Sequence, residues 1–247
     1  MRCRRVDSPI LPFPEDPFDA QRLLLAGLGV ETSPTILDVG AHMGETVDRY
    51  KAIFADSTIY CFEPFPSSIS VLNERYESDP SVKVIPMAVA DAPGTRVFHA
   101  NELDATNSLL PRPMSARRYY PKEAGPKATM QVNVTTIDAF VKDQRIENIH
   151  ILKLDIQGGE LMAFQGAVNT LKGKNVPLIY TEAMFTPHYE GNPLFDELWS
   201  FLAHLGYSLF DLYQLQRARN GQLRFGDALL VSREMRETVI NTYQEEP

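Results

Sequence analysis

The 247 residues are 44% hydrophobic and 23% charged, an ordinary balance for a folded chain with a sizeable core. A formal net charge of -8 and a pI near 5.2 provide no broad cationic surface, which argues against a nucleic-acid partner. No window reaches the roughly 18 apolar residues of a membrane span, and the basic opening at residues 1–5 leads into no secretory-type apolar run, so a cytoplasmic protein with no membrane span is expected.

Residues 1–16, which contain Pro9, Pro12 and Pro14, read as an N-terminal arm, and 17–247 as one domain. A helical pattern over 17–28 comes first. Short β-branched runs at 35–39, 58–62, 82–87, 149–154, 178–182, 207–212 and 228–231 then alternate with amphipathic stretches at 45–55, 67–78, 159–171 and 194–205. That alternation predicts an α/β fold, doubly wound around a mostly parallel seven-stranded sheet. Residues 91–134, with Gly94 and the prolines 111, 113, 121 and 126, break the rhythm as an inserted excursion after the third strand, carrying two short strands around Val97 and Val132. An excursion there is placed to cover a ligand beyond the strand ends. Its basic stretch, Arg112, Arg117, Arg118 and Lys122 with Tyr119 and Tyr120, reads either as a solvated loop or as a grip for an anionic or aromatic substrate. Cys3 and Cys61 form no CxxC pair and read as unpaired thiols.

The stretch DVGAHMG, Asp38 to Gly44, stands where the first strand turns into a helix. Gly40 lets backbone approach a ligand without a Cβ in the way, and Asp38 can hold a cationic ligand group. The spacing lacks the G-x-G-x-x-G pattern that seats a pyrophosphate. Glu63, in FEPFP at the end of the second strand, can accept both hydroxyls of a ribose.

Together with KLDIQGGE, residues 153–160, these motifs resemble the FkbM-type methyltransferases, a branch of the Rossmann-like enzymes that use S-adenosylmethionine. The resemblance covers roughly residues 35–185 and implies the class I methyltransferase fold. It places Asp38, Gly40, Ala41, His42 and Gly44 at the amino-acid part of the cofactor and Glu63 at the ribose. Ala88 falls near the adenine, and Asn107 with Ser108 where the family often has a serine. Two departures stand out: His42, where asparagine is usual, and Gln157, where glutamate is common.

Methyl transfer to a hydroxyl benefits from a positioned base, and Asp155 and Glu182, at the ends of adjacent strands, are placed for that role. The same pair can instead hold magnesium. His188, after the fifth strand, is a further candidate base. Glu160 is expected to open a helix, and Lys153 to tune Asp155 or pair with Glu160. The expected partner is a small-molecule acceptor: a hydroxyl on a sugar, polyketide or other secondary metabolite. Three alternatives stay open: a carboxylate acceptor, a nicotinamide-dependent oxidoreductase and a non-catalytic nucleoside-binding module. No heptad or exposed apolar stripe indicates an oligomeric state.

Overall fold

The computed structural model describes residues 14–113, 126–173 and 176–242. Helix α1 (Pro17–Gly27) begins where Asp16 accepts the Phe18 and Asp19 backbone N–H groups, with Pro17 at its first turn. There follow β1 (Thr35–Val39), α2 (Glu45–Ile53), β2 (Thr58–Phe62), α3 (Pro66–Tyr76) and β3 (Val82–Ile85). The excursion brings β4 (Ala88–Val89), β5 (Gly94–Asn101), a single 3-10 turn at Asp104–Thr106 and β6 (Pro126–Thr135). The second half holds α4 (Ile137–Gln144), β7 (Ile151–Leu154), α5 (Glu160–Gln165), α6 (Val168–Lys172), β8 (Leu178–Met184), α7 (Phe195–His204), β9 (Ser208–Arg217), β10 (Leu223–Val231) and α8 (Arg233–Thr238).

Seven strands form one sheet in the order β3-β2-β1-β7-β8-β10-β9, with β10 antiparallel to both its neighbours. Alternate residues of each strand face opposite helical layers. Ile36, Ile59, Ile151, Tyr180 and Leu229 pack with Phe18, Val47, Tyr50 and Leu72, from α1, α2 and α3. Leu37, Phe62, Leu152, Ile179 and Leu230 pack with Phe140, Phe164, Leu171 and Leu202, from α4, α5, α6 and α7. Both faces are covered, which is why the strands read as continuous apolar runs. The strand order reverses between β1 and β7, where open α/β sheets bind ligands.

Three expectations need correction. The run at 82–87 ends at Ile85, because Pro86 has no N–H to continue the ladder, and Ala88 opens β4 in a separate three-stranded sheet, β4-β6-β5. The helix expected at 159–171 is two helices. The break falls at Gly166, where an added Cβ would lie 2.2 Å from the Ala90 carbonyl oxygen, so the chain just after β4 presses on the helical layer there. Sequence periodicity also missed α4 and α8, which are short. Their starts carry side-chain caps: Thr136 accepts from the Ala139 N–H and Ser232 from the Met235 N–H.

One irregularity bears on the site. Between the pairs Phe225 with Gln216 and Asp227 with Tyr213, β9 carries one more residue than β10. This bulge puts Gln214 at φ 50, in the left-handed region, and Gly226 lies across from it. A Cβ at Gly226 would come 2.6 Å from Leu215 Cδ2 and 2.8 Å from the Tyr213 carbonyl oxygen, so glycine is what lets the bulge close.

Candidate active site

The glycine turn after β1 is held from below. Gly40 has φ 82, and a Cβ on it would fall 1.9 Å from the Asp155 carbonyl oxygen, so its lack of a side chain serves the approach of β7. The turn's N–H groups are engaged within the protein: Gly40 and Ala41 donate to the Phe62 carbonyl, and His42 donates to Glu63 Oε2. Met43 donates to Glu45 Oε2, and Gly44 to the Ala41 carbonyl. Asp38 is completely buried and faces Lys153, whose Nζ is 2.8 Å from Asp38 Oδ1 and donates to the Gly40 carbonyl at 2.8 Å. Burial raises the Asp38 carboxyl above its usual range while the ammonium opposes the rise. The expectation that Asp38 meets a cationic ligand group is thus corrected: its cation is Lys153. Lys153 in turn contacts neither Glu160 nor the Asp155 carboxylate as a hydrogen-bond partner; its role is to tie the turn to β7.

Glu63 is buried at the end of β2. Oε1 accepts the Phe65 N–H at 2.8 Å and Oε2 the His42 N–H at 3.0 Å, which leaves a lone pair on each oxygen for a ligand. Burial raises its pKa to about 7 against the lowering effect of those two donors. The His42 ring lies 3.1 Å from Glu45 Oε1 across one helical turn.

Glu63 belongs to a cleft whose apolar walls include Phe62, Met87, Ala88, Phe98 and Leu109 and whose rim includes Gly40, His42, Asn107, Asp155 and Gln157. The excursion therefore contributes Phe98, Asp104, Ala105, Asn107 and Leu109 to the lining of this cleft. Free space between the walls is about 60 Å³. That is well below the ~300 Å³ and upward of typical small-molecule sites. Ser108, buried, does not line the cleft. Its hydroxyl donates to the Gln157 carbonyl at 2.8 Å and accepts from the Leu110 N–H, pinning the excursion to the loop after β7.

That loop holds Asp155 and faces Glu182 of β8. Gln157, at φ 59, donates through Nε2 to Asp155 Oδ1 at 2.8 Å and to Glu182 Oε2 at 3.2 Å, so one amide spans both carboxylates. Tyr189 OH lies 2.8 Å from Gln157 Oε1 and 2.9 Å from the Thr106 carbonyl, two acceptors for its single proton. Glu160 Oε1 accepts the Ile156 and Gly158 N–H groups, as expected of a residue opening a helix, and burial raises its pKa to about 7. Glu182 is buried and its carboxyl is pushed well up by desolvation, then by Asp155, Glu160 and Asp227. Asp155 is exposed.

On the other side of Asp155 lies a cavity of about 220 Å³, lined among others by Glu45, Arg49, Tyr180, Glu182, Gln214 and Asp227. Asp155 is the carboxylate common to this cavity and the cleft. Sequence reasoning passed over Asp227 and Gln214: Asp227 stands inside an apolar strand run, and Gln214 looks like any solvent-facing strand residue.

Two further expectations fare differently. His188 is buried and lines neither space; its N–H donates to Asn192 Oδ1, its Nε2 is 3.1 Å from Thr186 Oγ1, and its ring meets Phe225 edge-on. Desolvation, with Arg224 and Arg112, lowers its pKa to about 4. It shapes the loop rather than the reaction space. Among the described residues no group of three or more His, Cys, Asp or Glu is arranged to hold a metal ion, and the Gln157 amide presents its N–H donors where a shared cation would sit. The residues do not fit the magnesium expected at Asp155 and Glu182. Arg117, Arg118 and Lys122 lie outside the described residues. Arg112 is buried, with its guanidinium 5.5 Å from the Tyr189 ring centre, not a solvated loop residue. Cys61 is a buried free thiol, and no helix among the described residues is long and apolar enough to cross a membrane.

Residues 38–209 match the family model described as the methyltransferase FkbM domain. A hexuronic acid methyltransferase, AglP, of Haloferax volcanii is 23% identical over 170 residues, 68% of this chain and 64% of that protein; the chain thus spans a little under two thirds of the relative it matches. Among solved structures, an rRNA methylase from Streptococcus thermophilus superposes with a TM-score of 0.46 at 11% identity, over 88% of this chain and 96% of that one. Fibrillarin of Aeropyrum pernix, in complex with S-adenosyl-L-methionine, gives 0.45 at 15% identity, over 87% and 76%. Likeness at this level says nothing about the acceptor, and the fold assignment rests on the strand order itself.

Proposed function

Because the chain belongs to the FkbM methyltransferase family, we propose that it methylates a hydroxyl oxygen of a small molecule, using S-adenosylmethionine held in the cleft beside Glu63. The observation that carries this reading is the position of Asp155, shared between the cleft and the adjoining cavity. Phe62, Met87, Ala88, Phe98 and Leu109 offer an apolar slot suited to a purine, and the spare lone pairs of Glu63 suit the two ribose hydroxyls. Bound there, S-adenosylmethionine supplies a methyl group on a positive sulfur, which keeps the C–S electron pair as the methyl passes to the acceptor oxygen.

Asp155 takes the proton of the acceptor hydroxyl. Its exposure leaves it accessible to an acceptor, whereas burial among other acids favours the protonated form of Glu182, which then positions and does not deprotonate. Gln157 fixes both by its amide. A carboxylate acceptor would need no base and gives Asp155 no such role. The family match removes the nicotinamide-dependent alternative.

Calorimetric titration tests the donor: S-adenosylmethionine and S-adenosylhomocysteine should bind, NAD and NADP should not, and Glu63→Ala should weaken the first two at least tenfold. Asp155→Asn should leave that binding intact and lower kcat by about 10²–10⁴. Binding of NAD, or an Asp155→Asn enzyme with full activity and an unchanged pH profile, would sink the reading.

A further inference from the structure

The cavity beyond Asp155 has a chemical character that the family does not dictate. Its acids are Glu45, Asp155, Glu182 and Asp227, and its two cations are already engaged by acids outside it. Lys153 is 2.8 Å from Asp38, and Arg49 is 2.6 Å from Asp16 with its guanidinium 4.4 Å over the Phe18 ring. Tyr180 donates to Asp227 Oδ2 at 2.6 Å. With Glu182 held protonated by burial, the negative field inside comes from Glu45, Asp155 and Asp227, and the walls are rich in hydrogen-bond acceptors, a lining that receives hydroxyl groups and repels anions.

Size narrows the ligand further. About 220 Å³ lies under the range of drug-sized sites and matches one small ring with its substituents. The β9 bulge adds a selective element. Gly226 allows the bulge, the bulge holds Gln214 at a positive φ, and Gln214 lines the cavity and carries an amide that can both donate and accept.

We propose that this cavity is the acceptor site, that it takes a single uncharged polyhydroxylated ring of the neutral-sugar type in preference to a uronate, and that Gln214 is a specificity-determining residue within it. The inference rests on the methyltransferase reading above. It departs from the acceptor named for the Haloferax volcanii relative, a hexuronic acid.

The experiment uses the full chain loaded with S-adenosylhomocysteine. Methyl glycosides of glucose, galactose and mannose, and the corresponding glycosiduronates, are each titrated against it by saturation-transfer NMR, and each is then offered with isotopically labelled S-adenosylmethionine. At least one neutral glycoside should bind and be methylated, with kcat/KM at least about tenfold above that of its uronate partner, the ratio a single like-charge contact produces. Asp227→Asn should shrink that ratio. Gln214→Gly, which suits the backbone angle and so keeps the bulge, should raise the acceptor KM several-fold while leaving the KM for S-adenosylmethionine unchanged. Failure of every neutral glycoside to bind, a uronate preferred over its neutral partner, or a Gln214→Gly enzyme with an unaltered acceptor KM overturns the inference. Failure of S-adenosylhomocysteine itself to bind overturns the methyltransferase reading instead.

Discussion

Lys153 and Asp38 form a buried ion pair, Nζ to Oδ1 at 2.8 Å, and the same ammonium donates to the Gly40 carbonyl, so one charge clamps the end of β7 to the turn after β1. The two strands flank the point where the sheet reverses order, and the clamp sets the floor between the cleft and the cavity.

Lys153→Met should leave Asp38 buried without its cation and destabilise the fold by about 3–5 kcal/mol in urea denaturation. Adding Asp38→Asn should recover much of that loss, because the orphaned charge goes with it. If the double variant is as unstable as the sum of the two single variants, the pair is not coupled as described.

Donor affinity should depend on pH through Glu63. Its pKa lies at about 7, and ribose hydroxyls that donate to it favour the ionised form. Binding of S-adenosylhomocysteine should accordingly strengthen several-fold from pH 6 to pH 8, and Glu63→Gln should bind more weakly with that rise removed. Equal rises in wild type and variant would place the titrating group elsewhere.

Glu160 should make stability fall as pH rises. Its carboxyl has a folded pKa of about 7 against an ordinary 4.5, so the folded state holds a proton that the unfolded chain releases. The contribution is complete below about 4.5, declines as pH passes up to about 7, and is absent above. Glu160→Gln keeps an oxygen for the Ile156 and Gly158 N–H groups. Relative to wild type, it should be better tolerated at pH 8 than at pH 5 by at most about 3 kcal/mol, read from urea midpoints.

The excursion is anchored at two points, and loosening either should be measurable. Ser108→Ala removes the bond to the Gln157 carbonyl, and Tyr189→Phe removes the hydroxyl shared by Gln157 and Thr106. Each should cost about 1 kcal/mol and speed amide hydrogen exchange over residues 104–110. Exchange unchanged in both variants would show that apolar packing of Phe98 and Leu109 alone holds the segment.

What the sequence determined by itself is what short-range chemistry encodes. Strand runs 35–39 and 58–62 coincide with β1 and β2, because strands buried on both faces must be apolar throughout. The turn from Asp38 to Gly44, the acid Glu63 and Asp155 were legible for a related reason: strand ends and the residues after them are readable from where apolar runs stop, whereas Glu182, expected at a strand end, lies inside β8, which runs on to Met184. Long-range relations decided the rest. Asp38 looked like a ligand contact until β7 brought Lys153 beneath it, and His188 looked like a rim base until Thr186, Asn192 and Phe225 closed around it. Gly40 serves an approach to Asp155 more than a hundred positions away in the chain. Gln214 enters the cavity through a bulge that depends on Gly226 across the ladder. Local sequence carries periodicity and turn chemistry, but burial and pairing across strands are set only when distant segments meet, and those decide which polar group faces a ligand and which faces the protein.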